Sequence, residues 1–428
     1  MYSSNRYSFS MCSILFVIPY LLSLILDNTV AQLSTDRQLE LVIIAFRHAD
    51  RTPFKFFAGD PYANESYWPD GDVQLLAAGK RRMYRFGRSL RARYNDFLTD
   101  SPREVYIRSS FKDRCIESAQ MLFHGLYKAE KRWVYDNSTD FLPLPIHTVP
   151  SSQDRMLTTD SKCPEGDREK ARLLHNDLSQ EAMKNISHYL ELIRNKTGVI
   201  LDTPSSVSDY ITCMQIERSQ GLVLPSWMSD RFFEELNKVS DLSYYIAQSS
   251  DKILRLRLTY LFKDIKERII NKTVEQRTDP LKSRLVAYAT HDSMIAAILI
   301  GLQSFNYVLP PYGSTVIIEV HKNSENQRFV HLFYWNDTES SEPLRLKQAY
   351  CNNSYECSVE NFFTHLDTHI ASDWERECGL GGCTSVWNDP FFLVLMALII
   401  LIVLVVALMF LKYRHNNVSR EGYQQIPS

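Results

Sequence analysis

Neither sign of charge dominates this sequence: 48 Lys and Arg stand against 50 Asp and Glu, a formal net charge of −2. With no basic excess there is no electrostatic footprint for nucleic acid. Internal repeats and low-complexity tracts are missing too, which excludes solenoids and linker-like chains. The pattern Cys-x-x-Cys does not occur, so no thioredoxin-like redox motif is encoded. His365 and His369 have helical ligand spacing, but no second cluster completes a zinc site, and they read as a solvated helix face.

What is present is the composition of a folded globular protein, 428 residues and 45% apolar, with room for one large or two ordinary domains. The long apolar segments lie at the two ends. Arg6, the run Ile14 to Leu26 and Thr29-Val30-Ala31 form the three regions of a secretory signal, with cleavage expected after Ala31. Phe391 to Leu411 contains no polar side chain and at ~1.5 Å per residue spans roughly 31 Å, a bilayer core. Asp389 precedes it and Lys412, Arg414 and Arg420 follow, so the positive-inside rule puts the tail in the cytoplasm. The expected organisation is a signal peptide over 1–31, a lumenal domain over 32–380 and a stem over 381–390. A single membrane helix over 391–411 and a tail over 412–428 complete a type I topology. Asn64, Asn137, Asn185, Asn195, Asn271, Asn336 and Asn352 open glycosylation sequons on the lumenal side, whereas Asn417 lies in the tail. Cys12 leaves with the signal. Cys115, Cys163, Cys213, Cys351, Cys357, Cys378 and Cys383 remain, an odd set in an oxidising compartment, so disulfides and an unpaired thiol are both expected.

The residues that could carry chemistry follow strands. Leu41 to Phe46 is an unbroken apolar run, as in a strand buried on both faces, and it leads into Arg47-His48-Ala49-Asp50-Arg51-Thr52-Pro53. Arg103 to Ser110 is a second β-rich run, with Arg108 near its end. The helix after it, from about Asp113, puts Ile116, Ala119, Leu122 and Leu126 on one face. Ser283 to Thr290 is a third strand, ending in His291-Asp292 before an apolar helix from Ser293 to Gln303. Elsewhere, Asp72 is expected to cap a helix to about Phe97 whose Lys80, Arg81, Arg85 and Arg88 face solvent. Residues 164–273 read as a helical lobe with helices at about 165–197, 230–248 and 250–270, and Leu224 to Trp227 as a packed turn. Ser314 to His321 and Phe329 to Trp335 read as a hairpin.

Ligands in open α/β sheets bind beyond the carboxyl ends of strands. Each strand end alone has an ordinary role: a basic turn, a core histidine, an aspartate cap. Gathered in one crevice, they suit phosphoryl transfer without metal or cofactor. Arginines would hold phosphate oxygens, a neutral imidazole would attack phosphorus, and a carboxylic acid would protonate the leaving alcohol.

Arg47-His48-Ala49-Asp50-Arg51-Thr52-Pro53 also resembles the Arg-His-x-x-Arg-x-Pro signature of the histidine acid phosphatases. The resemblance continues through Asp60-Pro61-Tyr62, Trp68-Pro69, Val105 to Ser109, Leu224 to Trp227, His291-Asp292, Leu309 to Tyr312 and Asp373-Trp374-x-x-Glu377-Cys378. It covers about residues 38–380 and is nearest to the lysosomal and prostatic branch. It implies an α/β fold of the phosphoglycerate-mutase-like kind: a mixed central sheet flanked by helices, with a smaller, mostly helical lobe. It implies His48 as nucleophile and Asp292 as proton donor, with Arg47, Arg51, Arg108 and His291 binding phosphate. It also implies disulfides Cys163–Cys378 and Cys351–Cys357, and a homodimer, since close members often pair. The related phytases share the signature but lack the membrane anchor.

Two departures stand out. The family's Arg-Ser-Thr-Asp is here Arg108-Ser109-Ser110-Phe111, which alters the pocket edge. The partner expected for Cys213 is replaced by Thr315, leaving Cys213, Cys115 and Cys383 without assigned partners. In the tail, Gly422-Tyr423-Gln424-Gln425-Ile426 resembles tyrosine-based sorting signals read by adaptors, which points to the lysosomal or endosomal membrane, with the plasma membrane as the alternative. The reading is thus a phosphate monoester hydrolase with an acid optimum. The alternatives are a membrane phosphatase for a phospholipid, phosphoprotein or phosphosugar outside the lysosome, and a catalytically silent membrane glycoprotein.

Overall fold

Strand β1 (Gln38–Arg47) is the axis of the molecule, because both of its edges are paired. On one side it runs parallel to β4 (Leu285–Thr290), followed by β2 (Val105–Ser109) and the short β3 (Ile146–His147). On the other it runs antiparallel to β5 (Thr315–Lys322), followed by β6 (Arg328–Trp335) and β7 (Leu344–Leu346). The order is β3-β2-β4-β1-β5-β6-β7, with β8 (Cys357–Ser358) on β6. The sheet is therefore mixed, and the three strands whose ends carry the candidate chemistry are neighbours. The computed structural model describes residues 37–158, 161–273, 283–380 and 390–421.

Alternation along β1 accounts for its unbroken apolar run. Leu41, Ile43 and Ala45 enter one core with helices α8 (Asp251–Thr273), α9 (Asp292–Gly301) and α10 (Val359–Asp367). Val42, Ile44 and Phe46 enter the other with α1 (Ala77–Arg93) and α2 (Asp113–Leu126). Successive side chains point to opposite faces, so a strand covered by helices on both sides has no polar position. The α1–α2 crossing is close enough to need glycine. A Cβ on Gly87 would land on the Leu122 carbonyl, and one on Gly125 on the Tyr84 carbonyl.

Several boundaries differ from the sequence reading. Helix α1 begins at Ala77, and Asp72 does not cap it. The intervening backbone is used elsewhere: Thr52 N donates to Gln74 O and Leu76 N to Asp50 O, both at 2.9 Å. Those bonds hold the segment extended against the loop after β1. The lobe is divided into α3 (Pro164–Leu174), α4 (Asp177–Asn185), α5 (Ser187–Thr197), α6 (Pro204–Ser219) and α7 (Asp230–Ile246), before α8. Helix α6 has no counterpart in the sequence reading. It opens on a capping box between Thr203 and Ser206, and its buried residues lie all round it, so it has no apolar stripe. Leu224 and Trp227 pack on the lobe core, in keeping with a packed turn. His365 and His369 are buried rather than solvated. Their Nε2 atoms lie 2.7 and 3.1 Å from the Gly301 carbonyl at the end of α9.

The described residues form two compact units. The larger lies within Met1–Lys162 and Gly166–Ser372 and holds the sheet. The other lies within Cys163–Glu165 and Asp373–Ser428; it contains the Cys163–Cys378 disulfide, α11 (Trp374–Glu377) and α12 (Pro390–Glu421). Within α12, Phe392–Arg414 is long and apolar enough to cross a membrane, with a mean hydropathy of 3.5. A second disulfide, Cys351–Cys357, closes a short loop in the larger unit.

Candidate active site

Strands β2, β4 and β1 deliver their carboxyl ends to one edge of the sheet, with Arg47 opposite Thr290 and Ser109 opposite Ala289 in register. A cavity of about 570 Å³ opens there, lined by His48, Arg51, Arg114, His291 and Asp292, with Phe54 and Phe111 among its walls.

His48 is almost fully buried. Its Nδ1 lies 2.9 Å from the Ala49 carbonyl. A carbonyl only accepts, so Nδ1 carries the proton and Nε2 keeps its lone pair. Burial, and then the charges of Arg47, Arg114, His291 and Arg51, hold His48 well below the usual imidazole range. The ring is a neutral base beside cations. His291 meets it edge-on with ring centroids 5.5 Å apart.

Arg47 is also buried, with its guanidinium 4.2 Å from the Tyr312 ring centroid. Its Nη1 donates to Pro310 O at 2.6 Å and its Nη2 pairs with Asp292 Oδ2 at 2.8 Å. Asp292 opens α9 and accepts from its own neighbour, Ser293 N, at 2.8 Å. Burial would raise the Asp292 carboxyl, but Arg47, His291 and Arg51 outweigh it and leave it lowered. Among the partners of His291, Arg114 Nη2 faces its Nδ1 at 3.3 Å and Ser110 Oγ its Nε2 at 3.0 Å. A guanidinium only donates, so Nδ1 accepts and Nε2 donates to Ser110. The Nε atoms of Arg47, Arg51 and Arg114 are buried without a hydrogen-bond partner. Donors left this way around one crevice are suited to an anion.

Arg108 is the last but one residue of β2, at the strand end that the sequence reading singles out. Its guanidinium pairs with Asp154 Oδ2 at 2.8 Å and also donates to the Ser109 carbonyl. Both partners are buried. A further arginine of the crevice is Arg114, in the first turn of α2, which sequence reasoning passed over.

A family model described as histidine phosphatase superfamily (branch 2) matches residues 38–335. The chain belongs to that superfamily. Among curated relatives, human lysosomal acid phosphatase is 30% identical over 80% of this chain and 81% of its own length. Mouse prostatic acid phosphatase is 32% identical over 84% and 92%. A lysosomal acid phosphatase of Xenopus laevis is 29% identical over 92% and 90%. Among solved structures, the Citrobacter braakii phytase has a TM-score of 0.62 at 16% identity, over 80% of this chain and 99% of that one. The Hafnia alvei phytase in complex with myo-inositol hexakis sulphate has the same score at 15% identity, over 80% and 98%. At such identities the phytases share the fold alone.

Within this histidine phosphatase fold, the crevice mouth carries Phe54, 66% exposed, and Phe111, 53% exposed. Phe111 is the residue that departs from the family's aspartate. Cys115 is a free thiol beneath His291, and burial pushes it up to about 11, so it is not a reactive thiolate. Cys213 is free and buried as well, while Cys383 lies outside the described residues. The sequon residues Asn64, Asn137, Asn185, Asn195 and Asn352 are exposed; Asn271 and Asn336 are half-buried. Tyr423 and Ile426 lie outside the described residues.

Proposed function

We propose that this protein is an acid phosphatase that hydrolyses phosphate monoesters through a phosphohistidine on His48. The observation that carries this reading is a buried, neutral His48 that keeps its Nε2 lone pair and lines a crevice with Arg51 and Arg114. Arg47, Arg51, Arg114 and His291 bind the phosphate oxygens and stabilise the charge of the transition state. His48 Nε2 forms a bond to phosphorus as the phosphorus–oxygen bond to the leaving group breaks. Asp292, protonated, gives its proton to that oxygen. Water then attacks phosphorus, the phosphorus–nitrogen bond breaks, and Asp292 recovers a proton from the water. Arg108 has a supporting role, holding Asp154 and the end of β2.

The acid optimum follows from Asp292. A donor must be protonated, and Asp292 sits below even the ordinary carboxyl value of about 4 in the resting site. The exposed rings of Phe54 and Phe111 favour leaving groups with an aromatic or apolar surface. Quenching the enzyme in alkaline denaturant during turnover and mapping the phosphorylated peptide tests the reading; His48 is the expected site. His48→Ala should have no turnover of a chromogenic phosphate ester, and retained activity would overturn the nucleophile assignment.

The lumenal domain is placed by the signal over 1–31 and held by the membrane helix over 391–411. Delivery to the lysosomal or endosomal membrane rests on Tyr423 and Ile426 in the tail and on the lysosomal relatives. The seven lumenal sequons carry glycans in this scheme, and a second copy of the chain is its partner in a homodimer.

A further inference from the structure

Strands β5 and β6 carry Glu319, His321 and His331 at sheet positions away from the catalytic crevice. Glu319 and His321 are two residues apart on β5, and His331 lies directly opposite Glu319 on β6. Residues i and i+2 of a strand, with the cross-strand partner of one of them, share a face of the sheet. Here their ligand atoms all lie within 4.8 Å of one another. The register sets Glu319 against Val42 and His321 against Leu39, at the opposite end of β1 from His48.

Each of these side chains is fixed from behind. Glu319 Oε1 accepts from Tyr94 Oη at 2.8 Å and Arg93 Nη2 at 3.0 Å, which leaves Oε2 facing His321 Nε2 at 2.9 Å. His331 Nε2 donates to Glu356 Oε2 at 3.0 Å, so its Nδ1 keeps the lone pair. Glu356 is in turn paired with Arg37 at 2.5 Å. The two imidazole centroids are 4.3 Å apart. Metal-ligating histidines and carboxylates are oriented by outer partners of this kind.

We propose that Glu319, His321 and His331 form a binding site for one zinc-like divalent cation, separate from the phosphatase crevice. Two imidazoles and a carboxylate are a zinc donor set with one position left for water. Zinc–ligand distances of about 2.0–2.2 Å put neighbouring donors ~3.3 Å apart in a tetrahedron. The 2.9 Å between Glu319 Oε2 and His321 Nε2 opens by a few tenths of an ångström, with the ion replacing the shared proton. Glu319 also borders a cavity of about 670 Å³, together with Arg93 and Tyr94.

The test is a titration of the full-length protein in detergent with Zn²⁺ alone at neutral pH, read by equilibrium dialysis. One tight equivalent is expected, retained in His48→Ala and in Cys213→Ser. It should be lost in His321→Gln and His331→Gln, both of which keep phosphatase turnover as the check on folding. Glu356→Gln should weaken it about 10- to 100-fold. Co²⁺ bound to the unmodified protein should give the strong visible absorption of a four-coordinate site, absent in the same two variants. The proposal fails if the wild type shows no saturable binding, or if His321→Gln and His331→Gln bind as much Zn²⁺ as the wild type. It fails equally if Cys213→Ser alone removes the equivalent, which would move the ion to Asp60, Cys213 and Glu217.

Discussion

Two arginines six positions apart have different surroundings. Arg114 has its Nε unpartnered in the crevice, whereas Arg108 is committed to Asp154 inside the fold. Arg114→Ala should therefore leave the melting temperature nearly unchanged and lower kcat/KM by about 10²–10³-fold, the cost of losing one transition-state donor. Arg108→Ala should instead cost about 3–5 kcal/mol of stability, because it strands the buried Asp154 charge. Calorimetry and steady-state kinetics on both variants separate the two; loss of stability in Arg114→Ala and of activity alone in Arg108→Ala would reverse the assignment. Asp292→Ala should hurt alkyl esters more than aryl esters, since poor leaving groups need the proton most. Equal loss across leaving groups would remove Asp292 from the donor role. A further carboxyl, Glu217, is pushed up to about 8 by burial and then by Asp60. Its folded value lies above the ordinary one, so its contribution to stability is complete below about 4.3 and is lost as pH rises toward 8. Thermal melts of Glu217→Gln should accordingly gain on the wild type between pH 5 and 8, and parallel curves would contradict this.

Among the elements, the α1–α2 seam is expected to bear on catalysis at a distance. Helix α2 presents Arg114 from its first turn, and its far end touches α1 through Gly125. Gly125→Ala would drive a methyl into the Tyr84 carbonyl, costing about 1–3 kcal/mol and displacing the helix. We expect a lower melting temperature together with a reduced kcat/KM; a variant as active and stable as the wild type would show that the seam can yield. The strands are legible in the sequence because a short apolar run that stops at a charged residue fits little but a buried strand meeting the sheet edge. Accordingly β1, β2 and β4 end at Arg47, Ser109 and Thr290. What the sequence does not reveal about Arg108 is its partner, because Asp154 lies 46 residues further along the chain in a loop. The helix start after β2, at Asp113, is the signal that could have identified Arg114. Helix α6 escapes because it is buried all round, and the start of α1 because Gln74 and Leu76 bond to the loop after β1 instead of coiling.

At the scale of the whole molecule, the phosphatase domain and the apolar helix near the C-terminus are expected to have separable tasks. A chain ending at Leu380 should be secreted and soluble, with kcat/KM equal to that of the full-length enzyme; a strong drop would tie catalysis to the membrane segment. Tyr423→Ala in the full chain should move the protein to the cell surface, which surface biotinylation would detect. An unchanged distribution would remove the tail from sorting.

The Arg47–Asp292 ion pair has one more consequence. When a phosphate ester enters, its oxygens compete for the guanidinium that holds Asp292 ionised, and the carboxyl loses its stabilising neighbour. On the proposed mechanism, arrival of the substrate should load Asp292 with a proton, and binding should take one up from solution. Calorimetric titration with a non-hydrolysable phosphate analogue, repeated in buffers of different ionisation enthalpy, should report protons taken from solution near pH 5. Asp292→Asn should abolish that uptake while still binding the analogue.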